Sequence, residues 1–195
     1  PHKAIDFYSN VYEKKPVGIN AIQLARALKF SGKELEAQEL LENYLIKNPK
    51  DHKIRSLLAE LYIENSPTKA IEHYELLNKD IAENTLVLNN LAWLSYKIGK
   101  LEQANLYIES ALSIEPNSAV LLGTYGEILS ANGDDSQAIA MLEKSIEQGA
   151  KSKKIYIKLV EMYVNSRQKD KALILFAQIE NKAIANEVAK ILENN

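Results

Sequence analysis

Residues that could carry out chemistry are few in this chain and stand far apart. The three histidines are His2, His52 and His73, and none has a carboxylate at the spacing of a metal-ligand set. With no cysteine there is no thiolate ligand or nucleophile. No nucleophile stands with a base, and no glycine-rich loop could cradle a phosphate. The sequence therefore predicts no catalytic residue, no metal site and no cofactor, and so a protein that is not an enzyme.

The chemistry that remains is recognition, and the segment around Trp93 is the best candidate for it. Trp93 is the only tryptophan, and Tyr96 and Lys97 follow it three and four residues later. On a helix this spacing places an aromatic ring beside a hydrogen-bonding group and a charge. Such a mixture is typical of binding hot spots. The other interpretation is structural, with Trp93 covering a neighbouring helix, and the sequence leaves both open.

Composition narrows the class of partner. The 195 residues carry 24 Lys and Arg against 26 Asp and Glu, a formal net charge of -2, so no basic surface is expected to recruit nucleic acid. No run of about 18 apolar residues occurs, and direct membrane insertion is not expected. The 46% of hydrophobic residues is enough for a continuous core. The lack of cysteine does not separate the cytoplasm from a bacterial envelope or periplasm.

The elements that must position these residues follow from an internal repeat. A small residue recurs, and a large apolar residue follows four positions after it. These small residues, spaced by 33 or 34 positions, are Ala4, Ala37, Ala70, Ala104, Ala138 and Ala172. A second small position recurs upstream at Ala25, Ala59, Ala92 and Gly126, with Val160 as the bulkier exception. Apolar residues recur at helical spacing on both sides of turn sequences such as Asn132-Gly133, which predicts a row of helix-turn-helix hairpins.

This pattern resembles the 34-residue tetratricopeptide repeat, whose helices pack closely at small residues. The best copy, residues 85–118, carries Leu91-Ala92, Gly99, Ala104 and Pro116 at the family's spacing. The resemblance implies an all-α fold, a right-handed α-α superhelix forming one continuous solenoid domain. The complete repeats are expected at 18–51, 52–84, 85–118, 119–152 and 153–182.

The two ends of the sequence differ from the repeats between them. Residues 1–17 match only the second helix of a repeat, so we expect the helix that pairs with it to lie in a longer parent protein. That orphan helix would expose an apolar side through which a second copy could stack as a homodimer. Residues 183–195 have an apolar stripe backed by polar residues, which is typical of the capping helix that a solenoid needs.

The resemblance also implies where a partner binds, because the first helix of each repeat lines the concave face in the family. The expected partner is a protein or peptide. The residues at those positions are Arg26, Lys29, Phe30, Glu60, Asn89, Trp93, Tyr96, Lys97, Glu127 and Lys158. A receptor for chaperone tails is disfavoured, since with the second to fourth repeats in register only Asn90 fits the basic carboxylate clamp.

A narrower resemblance concerns the run from Leu88 to Trp93 and its counterpart from Leu121 to Gly126. These are similar to segments of bacterial tetratricopeptide lipoproteins associated with the exosortase sorting system, although Glu127 replaces the family's tryptophan. The resemblance implies an envelope-anchored scaffold fragment. The sequence thus predicts a non-catalytic scaffold for protein-protein interaction. The alternatives are a self-assembly module or a regulatory subunit of an envelope-associated sorting or secretion system.

Overall fold

The structure is a computed structural model that describes residues 2–193, without the side chain of His2. This range contains twelve α-helices and no strand, in two compact units, Pro1–Leu94 and Ser95–Asn195. The first unit holds α1 (His2–Lys14), α2 (Gly18–Phe30), α3 (Glu34–Lys47), α4 (His52–Tyr62), α5 (Pro67–Asp80) and α6 (Thr85–Lys97) as far as Leu94. The second holds α7 (Leu101–Ile114), α8 (Ala119–Asn132), α9 (Asp135–Glu147), α10 (Lys153–Asn165), α11 (Lys169–Ala177) and α12 (Lys182–Glu193). The predicted all-α fold class is confirmed.

The helices alternate between two types, named here by their place in the repeat. The first helix of each predicted repeat is A-type (α2, α4, α6, α8 and α10), and the second is B-type (α3, α5, α7, α9 and α11). In the first unit, α2 pairs with α3 and α4 pairs with α5. In the second unit, α8 pairs with α9 and α10 with α11, while α12 packs on both α10 and α11. The repeat boundaries and the single continuous solenoid remain predictions.

In the hairpins α2–α3, α8–α9 and α10–α11 the turn is set by a residue in the left-handed conformation, Gly32, Gly133 or Arg167. Gly133 ends α8 with φ 86°, and the Asp134 N–H donates to the Leu129 carbonyl at 3.0 Å. This is the bonding pattern of a glycine C-cap, which closes the free carbonyls of the last helical turn. Arg167 occupies the same place after α10 with φ 61°, and the Gln168 N–H donates to the Tyr163 carbonyl. The fifth repeat therefore makes the same turn without glycine.

The small residues of the repeat are where the helices of a hairpin come closest. The alanines that define the period are completely buried in the B-type helices: Ala37, Ala70, Ala104, Ala138 and Ala172. In the α8–α9 pair, a Cβ built on Gly126 would stand 2.7 Å from Leu142 Cγ and 3.3 Å from the Ala138 carbonyl oxygen. Close-packed interiors transmit a volume change of even one methyl group. The period of the sequence is thus the period of the helix contacts.

In each unit, a contact among three residues links adjacent repeats. In the second unit the Tyr163 hydroxyl donates to Glu143 Oε1 at 2.5 Å, and Lys171 Nζ lies 3.1 Å from the same oxygen. In the first unit the Tyr62 hydroxyl donates to Glu42, with Lys69 Nζ 3.4 Å from that carboxylate. Each contact joins a B-type helix to both helices of the next repeat, so it fixes the stacking that positions the outward faces.

Candidate partner-binding face

We define the A-helix face as the outward side chains of the A-type helices, taken separately in each unit. In the first unit its most open part is the end of α2. Arg26 and Lys29 are exposed there, and Phe30, the last residue of α2, is 85% exposed. The helix stops at this point because Gly32 has φ 76°. An aromatic ring is therefore presented to solvent beside two cations on a rigid helix end.

The other predicted residues of the first unit are more enclosed. Glu60 is exposed on α4, whose start is fixed by Asp51, since its carboxylate accepts a hydrogen bond from the Ile54 N–H at 3.2 Å. Asn89 and Trp93 are both partly buried on α6, and four residues apart they lie on the same side of that helix. The Asn89 Oδ1 atom is buried and accepts no hydrogen bond from the described residues.

In the second unit the predicted residues differ in their exposure and in whether they already pair with another side chain. Tyr96 is partly exposed and Lys97 exposed at the end of α6, and Lys158 is partly buried on α10. Glu127 forms an ion pair inside the unit: its Oε2 lies 2.5 Å from Lys154 Nζ, and its side chain is only 11% exposed. This carboxylate joins α8 to α10. Its charge is matched within the unit, which argues against Glu127 as a direct partner contact.

The pairing of Glu127 with Lys154 depends on how closely α8 approaches α10. A Cβ on Gly123 would stand 2.6 Å from Ile155 Cδ1, so glycine leaves the room that the isoleucine side chain fills. Because Glu127 lies four residues after Gly123, it faces the same neighbouring helix. Sequence spacing alone does not reveal a pair that is 27 residues apart.

Three apolar residues on the A-helix face were missed by the sequence interpretation. Ile19, Leu86 and Val120 are all exposed near the start of their helices. Each stands six residues before the small residue of its own A-type helix, and exposed lysines, Lys53 and Lys154, occupy the same position in the other two repeats. Their position in the repeat would have been enough to identify them from the sequence. The face therefore combines aliphatic and cationic side chains at one recurring position.

Another polar cluster lies off this face in the first unit. Arg55 is buried, donating from Nη2 to the Pro49 carbonyl at 2.6 Å, with Nη1 3.4 Å from His73 Nδ1. The His73 ring stacks on Tyr62 at 5.8 Å between centroids. Burial, and after it the charge of Arg55, lowers the pKa of His73 below its ordinary 6.5. The fold thus favours the neutral form of the His73 ring over the charged form.

Two other kinds of site are absent from the described residues. Between residues 2 and 193 no group of three His, Asp or Glu side chains is placed to hold a metal ion. Over the same residues, none of the helices has both the length and the apolar composition that crossing a bilayer requires.

Comparison with known proteins identifies the repeat. Residues 99–156 match a family model described as tetratricopeptide repeat. No curated protein sequence matches the chain. The chain is similar to the crystal structure of TTC0263, a thermophilic TPR protein of Thermus thermophilus. That match has 22% identity, a TM-score of 0.66 and coverage of 90% of this chain and 99% of that chain.

Two further solved structures share the fold. MamA of Desulfovibrio magneticus RS-1 is 13% identical with a TM-score of 0.71, and the match covers 96% of each chain. YrrB, described as a TPR protein with an unusual peptide-binding site, is 16% identical with a TM-score of 0.66, covering 96% of this chain and 100% of that chain. The narrower resemblance to exosortase-associated lipoproteins is not confirmed. The tetratricopeptide repeat recognised in the sequence is confirmed, by the family model for residues 99–156 and by these solved structures for the fold.

Proposed function

We propose that this chain is a non-catalytic scaffold that binds a peptide or protein segment on its A-helix face. The observation that carries the proposal is the recurrence of exposed aliphatic side chains, Ile19, Leu86 and Val120, at one register position of three A-type helices. Exposed large apolar side chains that repeat at one register position of successive helices, as Ile19 and Leu86 do within the first unit, are typical of interaction surfaces. YrrB, which shares the fold, is described as having a peptide-binding site, which supports the same kind of ligand here.

The end of α2 indicates what chemistry the bound segment should have. Phe30 offers an aromatic contact, and Arg26 and Lys29 stand exposed beside it. An apolar side chain flanked by an acidic one would bury its apolar part on the ring and place its carboxylate near the cations. Because α2 and its turn are already ordered, little conformational freedom on the protein side is lost on binding. We therefore expect an acidic, partly apolar peptide.

The test begins with selection of peptides from a random displayed library on the immobilised chain. Binding of a recovered peptide is then measured by fluorescence anisotropy for the chain and for two matched variants. Phe30→Ala removes the exposed ring of α2, and Leu35→Ala removes a side chain that is 74% exposed on the B-type helix α3. Truncating exposed residues leaves folding nearly unchanged, so both variants report on binding.

The proposal expects Phe30→Ala to weaken binding by about tenfold or more, as for a hot-spot residue, and Leu35→Ala to leave it unchanged. Arg26→Glu should weaken binding more at low salt than at high salt, because salt screens the exposed charges. Trp93→Ala tests the centre of the predicted set. Loss of binding with Leu35→Ala, while Phe30→Ala, Arg26→Glu and Trp93→Ala bind normally, would move the site to the B-type helices and refute the proposal.

A second candidate function is self-assembly, and the exposure of α1 favours it. Ala4 is exposed, although its five repeat equivalents are completely buried. Phe7 is exposed as well, with its ring 5.3 Å from that of Tyr8. An apolar helix side left open in this way is suited to receive another helix. Sedimentation velocity over a range of protein concentrations tests it, and a mass that stays monomeric throughout contradicts it.

A further inference from the structure

A groove of about 320 Å³ lies in the second unit between the B-type helices α9 and α11. Its apolar lining consists of Ile146, Leu159, Ile174 and Leu175. Leu159 and Leu175 are buried, whereas Ile174 is 60% exposed. The volume is at the lower end of ligand pockets, which run from about 300 to 1,000 Å³. The groove therefore suits one or two side chains of a larger partner.

The contact among Tyr163, Glu143 and Lys171 holds the groove in shape. Glu143 lies on α9, and its carboxylate accepts a hydrogen bond from the Tyr163 hydroxyl of α10. The same carboxylate pairs with Lys171 Nζ of α11 at 3.1 Å. All three of these residues line the groove. Because the three helices are joined in this way, the groove is formed before a partner arrives, and little order has to be gained on binding.

One carboxylate of the groove is left without a matching charge. The lining has two carboxylates, Glu143 and Glu147, and one ammonium group, Lys171, which Glu143 already engages. Glu147 is exposed and belongs to none of the ion pairs formed within residues 2–193. The neighbouring cation Lys144 donates instead to the Pro116 carbonyl at 3.3 Å. One negative charge therefore stands beside the apolar lining.

The first unit has the same kind of three-residue contact, but its side chains differ at the positions that line the groove. His73 stands where α11 has Leu175, and its ring stacks on that of Tyr62 at 5.8 Å. Glu72 stands where α11 has Ile174. An imidazole ring and a carboxylate thus replace the two apolar side chains. The apolar groove is therefore a feature of the second unit's sequence and not of the repeat itself.

We propose that the groove between α9 and α11 docks a basic segment of a partner protein, in which an aliphatic side chain stands beside a lysine or an arginine. The aliphatic side chain lies against Ile174 and Leu175, and the cation faces Glu147. Charge complementarity selects this occupant, because an acidic segment would meet a carboxylate that has no counter-charge. The groove lies between B-type helices, so the inference goes beyond peptide binding on the A-helix face.

The lack of cysteine in the sequence allows a tethering experiment. Gln178→Cys places a single thiol at the groove, since Gln178 lines it and is exposed. The variant is mixed with equal amounts of two short alanine-glycine peptides, each ending in a cysteine and supplied as a mixed disulfide. One peptide carries leucine and arginine, and the other carries leucine and glutamate. In a weakly reducing buffer the disulfides exchange, so the ratio of the two adducts, measured by intact-protein mass spectrometry, reports the preference of the groove.

The proposal expects the leucine-arginine peptide to be favoured by about twofold to fivefold, the effect of an exposed ion pair. Adding Glu147→Gln to the Gln178→Cys chain should abolish this preference. Adding Ile174→Ala should lower capture of the leucine-arginine peptide relative to an alanine-arginine peptide. Ser110→Cys, at the same register position of α7, is the control. Its adduct ratio should not change with Glu147→Gln.

Three results would overturn the inference. The first is an adduct ratio that stays the same when Glu147 becomes glutamine, and the second is a preference for the leucine-glutamate peptide. The third is equal capture of leucine-arginine and alanine-arginine peptides by Gln178→Cys, which would mean that the groove makes no apolar contact. Glu147 is exposed and Ile174 largely so, hence neither substitution should unfold the chain, and circular dichroism checks this. None of the three results bears on Phe30→Ala, so peptide binding on the A-helix face is tested separately.

Discussion

Two glycines in α8 provide a matched pair for testing how the hairpins pack. A Cβ on Gly126 would stand 2.7 Å from Leu142 Cγ, a branch point near the backbone, and 3.3 Å from the Ala138 carbonyl. A Cβ on Gly123 would meet chiefly Ile155 Cδ1, at 2.6 Å. That methyl group is the far end of a flexible side chain and can rotate away, whereas Leu142 Cγ and a backbone carbonyl cannot. Gly126→Ala should therefore destabilise the chain, whereas Gly123→Ala, whose Cβ would also stand 3.2 Å from Ser145 Oγ, should not.

The magnitudes follow from two terms. Alanine in place of glycine inside a helix stabilises by about 0.5–1 kcal/mol. Overpacking a well-filled contact destabilises by about 1–3 kcal/mol. Gly126→Ala should therefore lower the free energy of unfolding by about 1 kcal/mol. Gly123→Ala should leave it unchanged or raise it by up to about 1 kcal/mol.

Urea unfolding followed by far-ultraviolet circular dichroism measures the free energy for both variants. Repeat proteins open locally, so hydrogen exchange of the α8 and α9 amides should accompany it. Faster exchange in these two helices is expected for Gly126→Ala alone. If Gly126→Ala stabilised the chain as much as Gly123→Ala, the close contact of Gly126 with Leu142 and the Ala138 carbonyl would be wrong.

Two further predictions concern pH and the turns. Because the pKa of His73 is lowered in the fold by burial and then by Arg55, the unfolded chain takes up that proton more readily, and stability should fall as pH is lowered through 6.5. His73→Gln should remove this part of the profile, measured as the urea midpoint against pH. Arg167 has φ 61°, so Arg167→Gly should raise the thermal midpoint by relieving about 1 kcal/mol of backbone strain. Gly133→Ala should lower the thermal midpoint, because φ is 86° at this position. The cost is again about 1 kcal/mol of backbone strain, since a Cβ there would meet nothing within 4 Å.

Each of these has a result that would contradict it. An unchanged pH profile in His73→Gln would mean that His73 is not the group that titrates between folded and unfolded states in this range. A loss of stability in Arg167→Gly would mean that the arginine side chain contributes more than its backbone strain removes. Calorimetry of the Arg167 and Gly133 variants in one buffer gives the comparison directly.

Local sequence signals accounted for the fold, because each hairpin depends on residues close in sequence. The alanine period indicated the buried helix contacts, and Asn132-Gly133 indicated a turn that the structure forms with Gly133 in the left-handed conformation. Pro67 is the first residue of α5, a position where proline is favoured because its missing N–H would have no partner inside the helix. Arg167 makes the same turn with φ 61°, where the sequence carries no glycine signal.

The candidate site was less accessible to sequence reasoning, because exposure depends on the neighbouring helix. Glu127 stands at a face position, yet it is paired with Lys154 from the next repeat. The burial of Asn89 Oδ1 likewise depends on how side chains pack around α6. Leu86 and Val120, by contrast, could have been found from the register alone, since both precede the small residue of their helix by six positions.

The most direct test of the proposed scaffold function is hydrogen exchange of the chain with and without a selected peptide, resolved helix by helix. Binding on the A-helix face should slow exchange in the A-type helices, above all at the end of α2 around Phe30, and leave α3 and α5 unchanged. Protection confined to the B-type helices α3 and α5, with none in α2, α4 or α6, would contradict it.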